Sequence, residues 1–137
     1  MSRLQQAQGK AGEEAAEYAL KLLGVQCLEK INVNRVGRNG AYSKKVSADF
    51  YGLLNNGRGV RVEVKAVSGA GLAWSNFREH QPAMLTDYAQ ALGLSLVVWV
   101  HGADVYVMQW EDMLASGFGF GASLKPETAR KIRIVAL

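Results

Sequence analysis

The chain has 137 residues, of which 49% are hydrophobic and 20% charged, and it carries a net charge of +4. These values exclude a disordered or low-complexity chain and are typical of one globular domain, which we expect to span residues 1–137. A lone cysteine, Cys27, excludes an intramolecular disulfide and favours a reducing, cytoplasmic location, and we expect its side chain to be buried. The longest apolar run, residues 92–100, is too short to cross a bilayer, so no membrane partner is expected.

Helical and strand patterns alternate along the chain and predict an α/β fold. Apolar spacing, turn signals and β-branched residues supply the boundaries. In chain order the predicted elements are a helix at 10–23, strands at 25–33, 48–54 and 60–67, a helix at 78–92, strands at 94–101 and 105–110, a short helix at 111–115 and a C-terminal edge strand. The second and third strands flank NNGRG, a strong hairpin signal, so they should be antiparallel neighbours. The order favours a central mixed β-sheet flanked by helices.

The predicted hairpin carries three residues that can act together on a phosphodiester. Asp49 precedes the turn, and Glu63 and Lys65 follow it at i and i+2 of one strand. Side chains at i and i+2 project from the same face of a strand, so Glu63 and Lys65 should point together. Two carboxylates, with the backbone carbonyl near Val64, are suitable ligands for Mg²⁺, and Mn²⁺ is an alternative. Lys65 would hold the attacking water or stabilise charge on the phosphorane.

This motif is weak by its spacing alone, because D-x13-E-x-K arises often by chance. The alternative is that Glu63 and Lys65 form an exposed strand face and that Asp49 caps a turn. The surrounding charge favours the first interpretation, since residues 30–65 contain eight basic residues and only two acids, a local net charge of +6. The two acids are Asp49 and Glu63 themselves.

A basic stretch leading into Asp49 predicts binding to DNA phosphates. The residues that we expect to contact DNA there are Arg35, Arg38, Lys44 and Lys45, with Arg58 in the hairpin turn. Nothing in the stretch predicts direct recognition of bases, and a solvated loop is the alternative interpretation.

Four short motifs in this order resemble the PD-(D/E)xK nuclease superfamily. They are G-x-x-x-E at residues 9–13, SADFYG at 47–52, VEVKA at 62–66 and FREHQ at 77–81. Within the superfamily the sequence is most similar to Holliday junction resolvases of the RecU type, and more distantly to the archaeal Hjc type. The gap from Asp49 to Glu63 is about one residue longer than in the RecU pattern, and residues 32–47 are shorter than the RecU stalk.

The resemblance implies a restriction-endonuclease-like core, a homodimer, Mg²⁺ dependence and paired symmetric nicks in four-way DNA junctions. By position it makes Asp49 and Glu63 metal ligands and Lys65 the catalytic lysine. Glu13 matches the family's helix glutamate and would complete the ligand set directly or through water. Gln81 matches a glutamine of the second helix, and Ser47 a Ser/Thr that donates a hydrogen bond to phosphate. A solvated helix face explains Glu13 almost as well, and turn chemistry explains Ser47 equally well.

Three other functions remain open at the level of sequence. One is a nuclease of the same superfamily that acts on another DNA substrate, in restriction, repair or phage DNA processing. Another is a non-catalytic DNA-binding protein that uses the same basic surface. The third is a protein-interaction module whose charge is incidental.

Overall fold

The computed structural model describes residues 3–31 and 49–137 of the chain, with side chains from residue 9 onward. The principal helices are α1 (Arg3–Leu23) and α2 (Gln81–Gln90), and the shorter α3 (Trp110–Ala115) and α4 (Pro126–Ile132) follow. The strands are β1 (Gln26–Lys30), β2 (Phe50–Leu53), β3 (Gly59–Ala66), β4 (Leu72–Ala73), β5 (Leu94–His101), β6 (Asp104–Gln109) and β7 (Ser123–Leu124). The sequence of elements confirms the predicted α/β class.

A five-stranded mixed sheet in the order β1-β2-β3-β5-β6 forms the centre of the fold. The β2–β3 hairpin is antiparallel, as the NNGRG signal predicts, and pairs Phe50 with Val62 and Leu53 with Gly59. Strands β3 and β5 are parallel, because α2 crosses between them, and β5 and β6 are again antiparallel. The short strands β4 and β7 form a separate two-stranded sheet.

Each face of the central sheet packs against its own hydrophobic cluster. On one face, α1 contributes Ala16 and Leu20 to a cluster with Val62 and Val98. On the other, α2, α3 and α4 cover a cluster that contains Val97 and Trp99. Since alternate residues of β5 enter opposite clusters, this strand is buried on both faces, as its apolar sequence predicts. Glu63 and Lys65 pair with Val97 and Trp99 in the β3–β5 register and therefore lie on the α2 face.

Close packing at one glycine sets the position of α1. A Cβ atom on Gly12 would lie 2.7 Å from the Cβ of Ala66 on β3, closer than real Cβ atoms approach. Only glycine lets the helix come this near to the strand without a shift. The contact positions the next residue, Glu13, beside the end of the sheet that carries Lys65.

Two predictions from sequence are wrong. The C-terminal segment forms the helix α4 rather than an edge strand; Arg133 makes only an isolated bridge to Met108. Cys27 is exposed instead of buried, because it lies in a β-bulge of β1 with φ of 52°. Among the helices of the described residues, none is sufficiently long and apolar to traverse a bilayer.

Candidate active site

The hairpin brings Asp49 and Glu63 together where β2 begins to separate from β3. The backbone N–H of Asp49 donates to the carbonyl of Val62 at 2.8 Å, which continues the strand pairing. One step further, the N–H of Val64 donates to Asp49 Oδ2 at 2.7 Å. The Asp49 carboxylate thus satisfies a strand amide at the end of the pairing, and its position is fixed by the backbone of β3.

Glu63 is the most deeply buried acid of the candidate site, with only 4% of its surface exposed. Its carboxyl group is hydrogen-bonded to that of Asp49, and Oε1 also accepts a 2.7 Å bond from Gln81 Nε2. Burial, followed by the adjacent Asp49 charge, raises the pKa of Glu63 to about 8. Burial likewise raises the pKa of Asp49, although the Val64 N–H opposes the change. Two carboxyls held this close therefore retain one proton near neutral pH, on Glu63, unless a cation replaces it.

Lys65 points to the same side as Glu63 and is almost enclosed, with 12% of its side chain exposed. Its Nζ lies 3.5 Å from Glu63 Oε1 and donates to Gln81 Oε1 at 2.8 Å. The Phe77 ring lies beneath the amine, with its centroid 4.9 Å from Nζ. Burial lowers the pKa of Lys65, although the nearby acids oppose the change. The amine is therefore a confined, partly desolvated cation beside the acid pair.

Gln81 links Lys65 and Glu63 and fixes the orientation of both. Its Nε2 donates to Glu63, while its Oε1 accepts from Lys65 and from the N–H of Arg78 at 2.8 Å. Pro82 follows it in the first turn of α2, where the missing N–H costs no helical hydrogen bond. The helix start is thereby held against β3.

Glu13 lies outside this tight cluster. It pairs with Lys30 of β1 at 2.5 Å, which raises the pKa of that exposed lysine, and its charge raises the pKa of Asp49. Across residues 3–31 and 49–137, no three His, Cys, Asp or Glu side chains converge closely enough to hold a metal ion. The charge of Glu13 thus reaches Asp49, but among the described residues its carboxylate forms an ion pair with Lys30 and makes no hydrogen bond to the acid pair.

The predicted DNA-binding residues divide into two groups. Four basic residues and the serine, at positions 35, 38, 44, 45 and 47, lie outside the described residues. Arg58 does not face the acid pair: its Nε and Nη2 each donate at 3.0 Å to the carbonyls of Leu92 and Gly93. Since Arg58 is five residues from Glu63 along the chain, roughly 17 Å separates them. Arg58 thus braces the hairpin turn against the end of α2.

Sequence reasoning missed two arginines near the acid pair. Arg61, two residues before Glu63 and so on the same face of β3, is held between the rings of Tyr51 and Tyr88, with centroids 5.0 and 4.7 Å from its Cζ. Its Nε has no hydrogen-bond partner among the described residues. Arg78 lies at the start of α2, and its charge acts on Lys65. The i, i−2 spacing to Glu63 could have identified the first, and its place in FREHQ the second.

The fold and this cluster together define a class of enzyme. A mixed sheet in which a hairpin joins two carboxyls and a lysine, with a helix glutamine bonded to both Glu63 and Lys65, is the arrangement of a PD-(D/E)xK nuclease. The model of the family described as "RecU: Recombination protein U" matches residues 17–118, and the chain belongs to this family. The matched segment contains Asp49, Glu63, Lys65 and Gln81 and begins after Glu13. Proteins of this family are Holliday junction resolvases, which are divalent-metal-dependent endonucleases.

Comparison of structures agrees with the family. The fold is similar to that of Hjc from Archaeoglobus fulgidus, described as a Holliday junction resolvase from an archaeal hyperthermophile. The TM-score is 0.65 at 10% identity, and the match covers 93% of this chain and 96% of Hjc. No curated protein sequence matches the chain significantly. The restriction-endonuclease-like fold predicted from the sequence is confirmed.

If Glu63 is a metal ligand, replacing Gln81 by alanine is expected to lower the cleavage rate by about 10- to 100-fold, the usual cost of losing a residue that orients such a ligand. The substitution removes the bonds that hold Glu63 and Lys65 in place but leaves both side chains present. Single-turnover cleavage of a four-way junction measures the effect. Gln90→Ala, at the exposed end of the same helix, is the matched control and should retain the parent rate. Equal rates for both variants would contradict a positioning role for Gln81.

The metal-free protein is expected to lose thermal stability as the pH rises from about 5 to about 8. The pKa of Glu63 is raised from 4.5 to about 8, so in this range the folded state keeps a proton that the unfolded state releases. The stabilisation that this proton provides is complete below about pH 4.5, the ordinary pKa of Glu63, and is lost as the pH rises past about 8. The lowered pKa of Lys65 has the opposite effect on stability. It makes the free energy of unfolding rise with pH, and it acts only below the ordinary lysine pKa of 10.5.

Comparison with Glu63→Gln isolates the effect of this acid. The variant cannot release a proton at position 63, and its glutamine oxygen can still accept from Gln81 Nε2. In a chelating buffer its Tm should fall less with pH and exceed that of the parent above about pH 8. Parallel Tm curves for the two proteins would show that Glu63 titrates normally.

Proposed function

We propose that this protein is one nuclease domain that resolves four-way DNA junctions by paired symmetric nicks, with Asp49 and Glu63 as the metal ligands. One observation carries the proposal: the carboxyl of Glu63 is buried and hydrogen-bonded to that of the half-buried Asp49, and the pKa of Glu63 is raised to about 8. Such a pair is stable only with a shared proton or a bound cation. The oxygen-rich donor set suits a hard divalent ion, and we propose Mg²⁺, with Mn²⁺ as a substitute.

Each residue of the candidate site is proposed to have a separate role in phosphodiester hydrolysis. The bound ion would neutralise charge on the phosphodiester and make water a better nucleophile. Asp49 and Glu63 would hold it, the Val64 carbonyl would be a further ligand, and Glu13 would act directly or through water. Lys65 orients the attacking water and stabilises the negative charge that develops on the phosphate oxygens. Gln81 would hold Lys65 and Glu63 in place through its hydrogen bonds to both side chains.

DNA binding is proposed to involve the basic stretch before Asp49 and a second copy of the chain. Arg35, Arg38, Lys44 and Lys45, with Ser47, precede Asp49 directly and supply charges for phosphates of the junction arms. A four-way junction has near two-fold symmetry, so a homodimer would place one site on each of two opposing strands. Arg58 is not included, because its guanidinium is bonded to carbonyls at the other end of β3.

Substrate choice tests the proposal. The parent protein should nick a four-way junction in Mg²⁺ much faster than matched linear duplex, flap or single-stranded DNA, and should not nick in a chelating buffer. Equal cleavage of the linear duplex would instead indicate a nuclease of other substrate choice within the superfamily. Binding without metal-dependent cleavage, unchanged in Asp49→Asn, would indicate a non-catalytic DNA-binding protein.

A further inference from the structure

A groove of about 820 Å³ opens beside the candidate active site and has no part in the chemistry described above. The start of α2 and the 3₁₀ turn at Trp74–Asn76 form one wall, and the loop before β7 forms the other. Aromatic side chains from both walls, Trp74, Phe77 and Phe120, line it together with Arg78 and Glu79. Its volume is ample for a nucleotide.

The groove is continuous with the catalytic cluster. Phe77 lines the groove, and its ring also contacts the amine of Lys65, 4.9 Å from the ring centroid. Arg78 lines the groove as well, and its backbone N–H donates to Gln81 Oε1 at 2.8 Å. A DNA strand whose scissile phosphate lies at Lys65 would therefore meet the groove within one nucleotide or so along its path.

Phe120 is presented to solvent by a well-anchored loop. Phe120 is 95% exposed, whereas Phe118, two residues earlier, is buried and packs against Trp74 with tilted rings whose centroids lie 5.4 Å apart. The N–H of Ala122 donates to Gly119, and the carbonyl of Ala122 accepts from Trp74. Single exposed apolar side chains are common on protein surfaces and need no functional explanation. Phe120 differs because its ring borders an aromatic groove beside the proposed catalytic lysine.

We propose that this groove binds an unpaired nucleobase from the strand that is cleaved, with Phe120 stacking on the base and Arg78 contacting an adjacent phosphate. The inference rests on the proposed nuclease function and refines its substrate. The apolar interior favours the aromatic face of a base, and the Glu79 carboxylate disfavours a phosphate inside the groove. Arg78 lines the groove and its backbone N–H binds the same Gln81 oxygen as Lys65, so the sugar-phosphate chain would pass Arg78 between the scissile phosphate and the groove. Bases are most easily unstacked at the branch point of a junction.

Fluorescence of 2-aminopurine tests the proposal. We would place the base analogue at the branch-point positions of a four-way junction and add the Glu63→Gln protein, so that binding is observed without cleavage. The expected result is a change of fluorescence on binding that Phe120→Ala abolishes and Phe120→Tyr retains. Phe120→Ala should also weaken junction binding by about tenfold and leave binding to fully paired duplex unchanged. Leu92→Ala, which removes another side chain that is 83% exposed, is the matched control and should behave as the parent.

Two results would overturn the inference. One is an aminopurine signal that does not depend on Phe120. The other is a loss of self-association in Phe120→Ala, measured by sedimentation, which would assign the groove to contact with a second copy of the chain. Junction cleavage by the otherwise unmodified protein separates the two proposals. Cleavage with a Phe120-independent signal rejects the groove alone, whereas a Phe120-dependent signal without cleavage rejects the nuclease function and keeps the groove as a base-binding site.

Discussion

Replacing Glu63 by glutamine should reduce junction cleavage by about 10³-fold while leaving junction binding close to that of the parent protein. Glutamine keeps the size of the side chain and can still accept the 2.7 Å bond from Gln81 Nε2. It cannot supply the negative charge that, with Asp49, is proposed to hold the cation. The loss should therefore appear in the rate of the chemical step and in the metal requirement, and not in the fold.

Single-turnover cleavage at saturating Mg²⁺ and mobility-shift binding in Ca²⁺ measure the two quantities separately. Glu127→Gln, at a largely exposed carboxylate of α4, is the matched control and should cleave at the parent rate. The Tm of Glu63→Gln in a chelating buffer at about pH 9 should lie above that of the parent, because the substitution removes a buried charge. Unchanged nicking by this variant would refute the proposed ligand set.

Replacing Lys65 by methionine should lower the cleavage rate by about 10²- to 10³-fold and change the Mg²⁺ requirement much less. Methionine has a similar length and can still pack against Phe77, but it lacks the cation that lies 3.5 Å from Glu63 and 2.8 Å from Gln81. Charge stabilisation near the reacting phosphate is lost, whereas both carboxylates remain. Lys65→Arg should not restore the rate, because the planar guanidinium cannot occupy the enclosed place of the amine.

The rate constant and the Mg²⁺ concentration for half-maximal rate, both from single-turnover kinetics, distinguish this role from others. Lys125→Met, at an exposed lysine outside the site, controls for the loss of one positive charge. If Lys65→Met raised the Mg²⁺ requirement and reached the parent rate at high Mg²⁺, the lysine would serve to organise the ligands instead of assisting the reaction.

Most of the central sheet and the three residues of the hairpin were predictable because they depend on local rules. The NNGRG turn and its flanking strands fix which residues pair, and the alternation of side chains puts Glu63 and Lys65 on one face. The resemblance added Gln81 and Glu13, which no local pattern identifies. The predicted burial of Cys27 was wrong because a β-bulge has no clear sequence signal. The predicted C-terminal strand was wrong because the short helix α4 lacks an extended apolar pattern.

The contacts and the burial of the site residues could be determined only from the tertiary structure. That Arg58 binds the carbonyls of Leu92 and Gly93 depends on where the end of α2 lies, far away in sequence. The bonds of Gln81 and the groove beside Phe120 likewise join segments that are distant along the chain. The sequence determined by itself which groups of the hairpin can meet, because that follows from strand geometry. Burial determined that Glu63 keeps its proton to about pH 8, because desolvation depends on everything packed around the carboxyl.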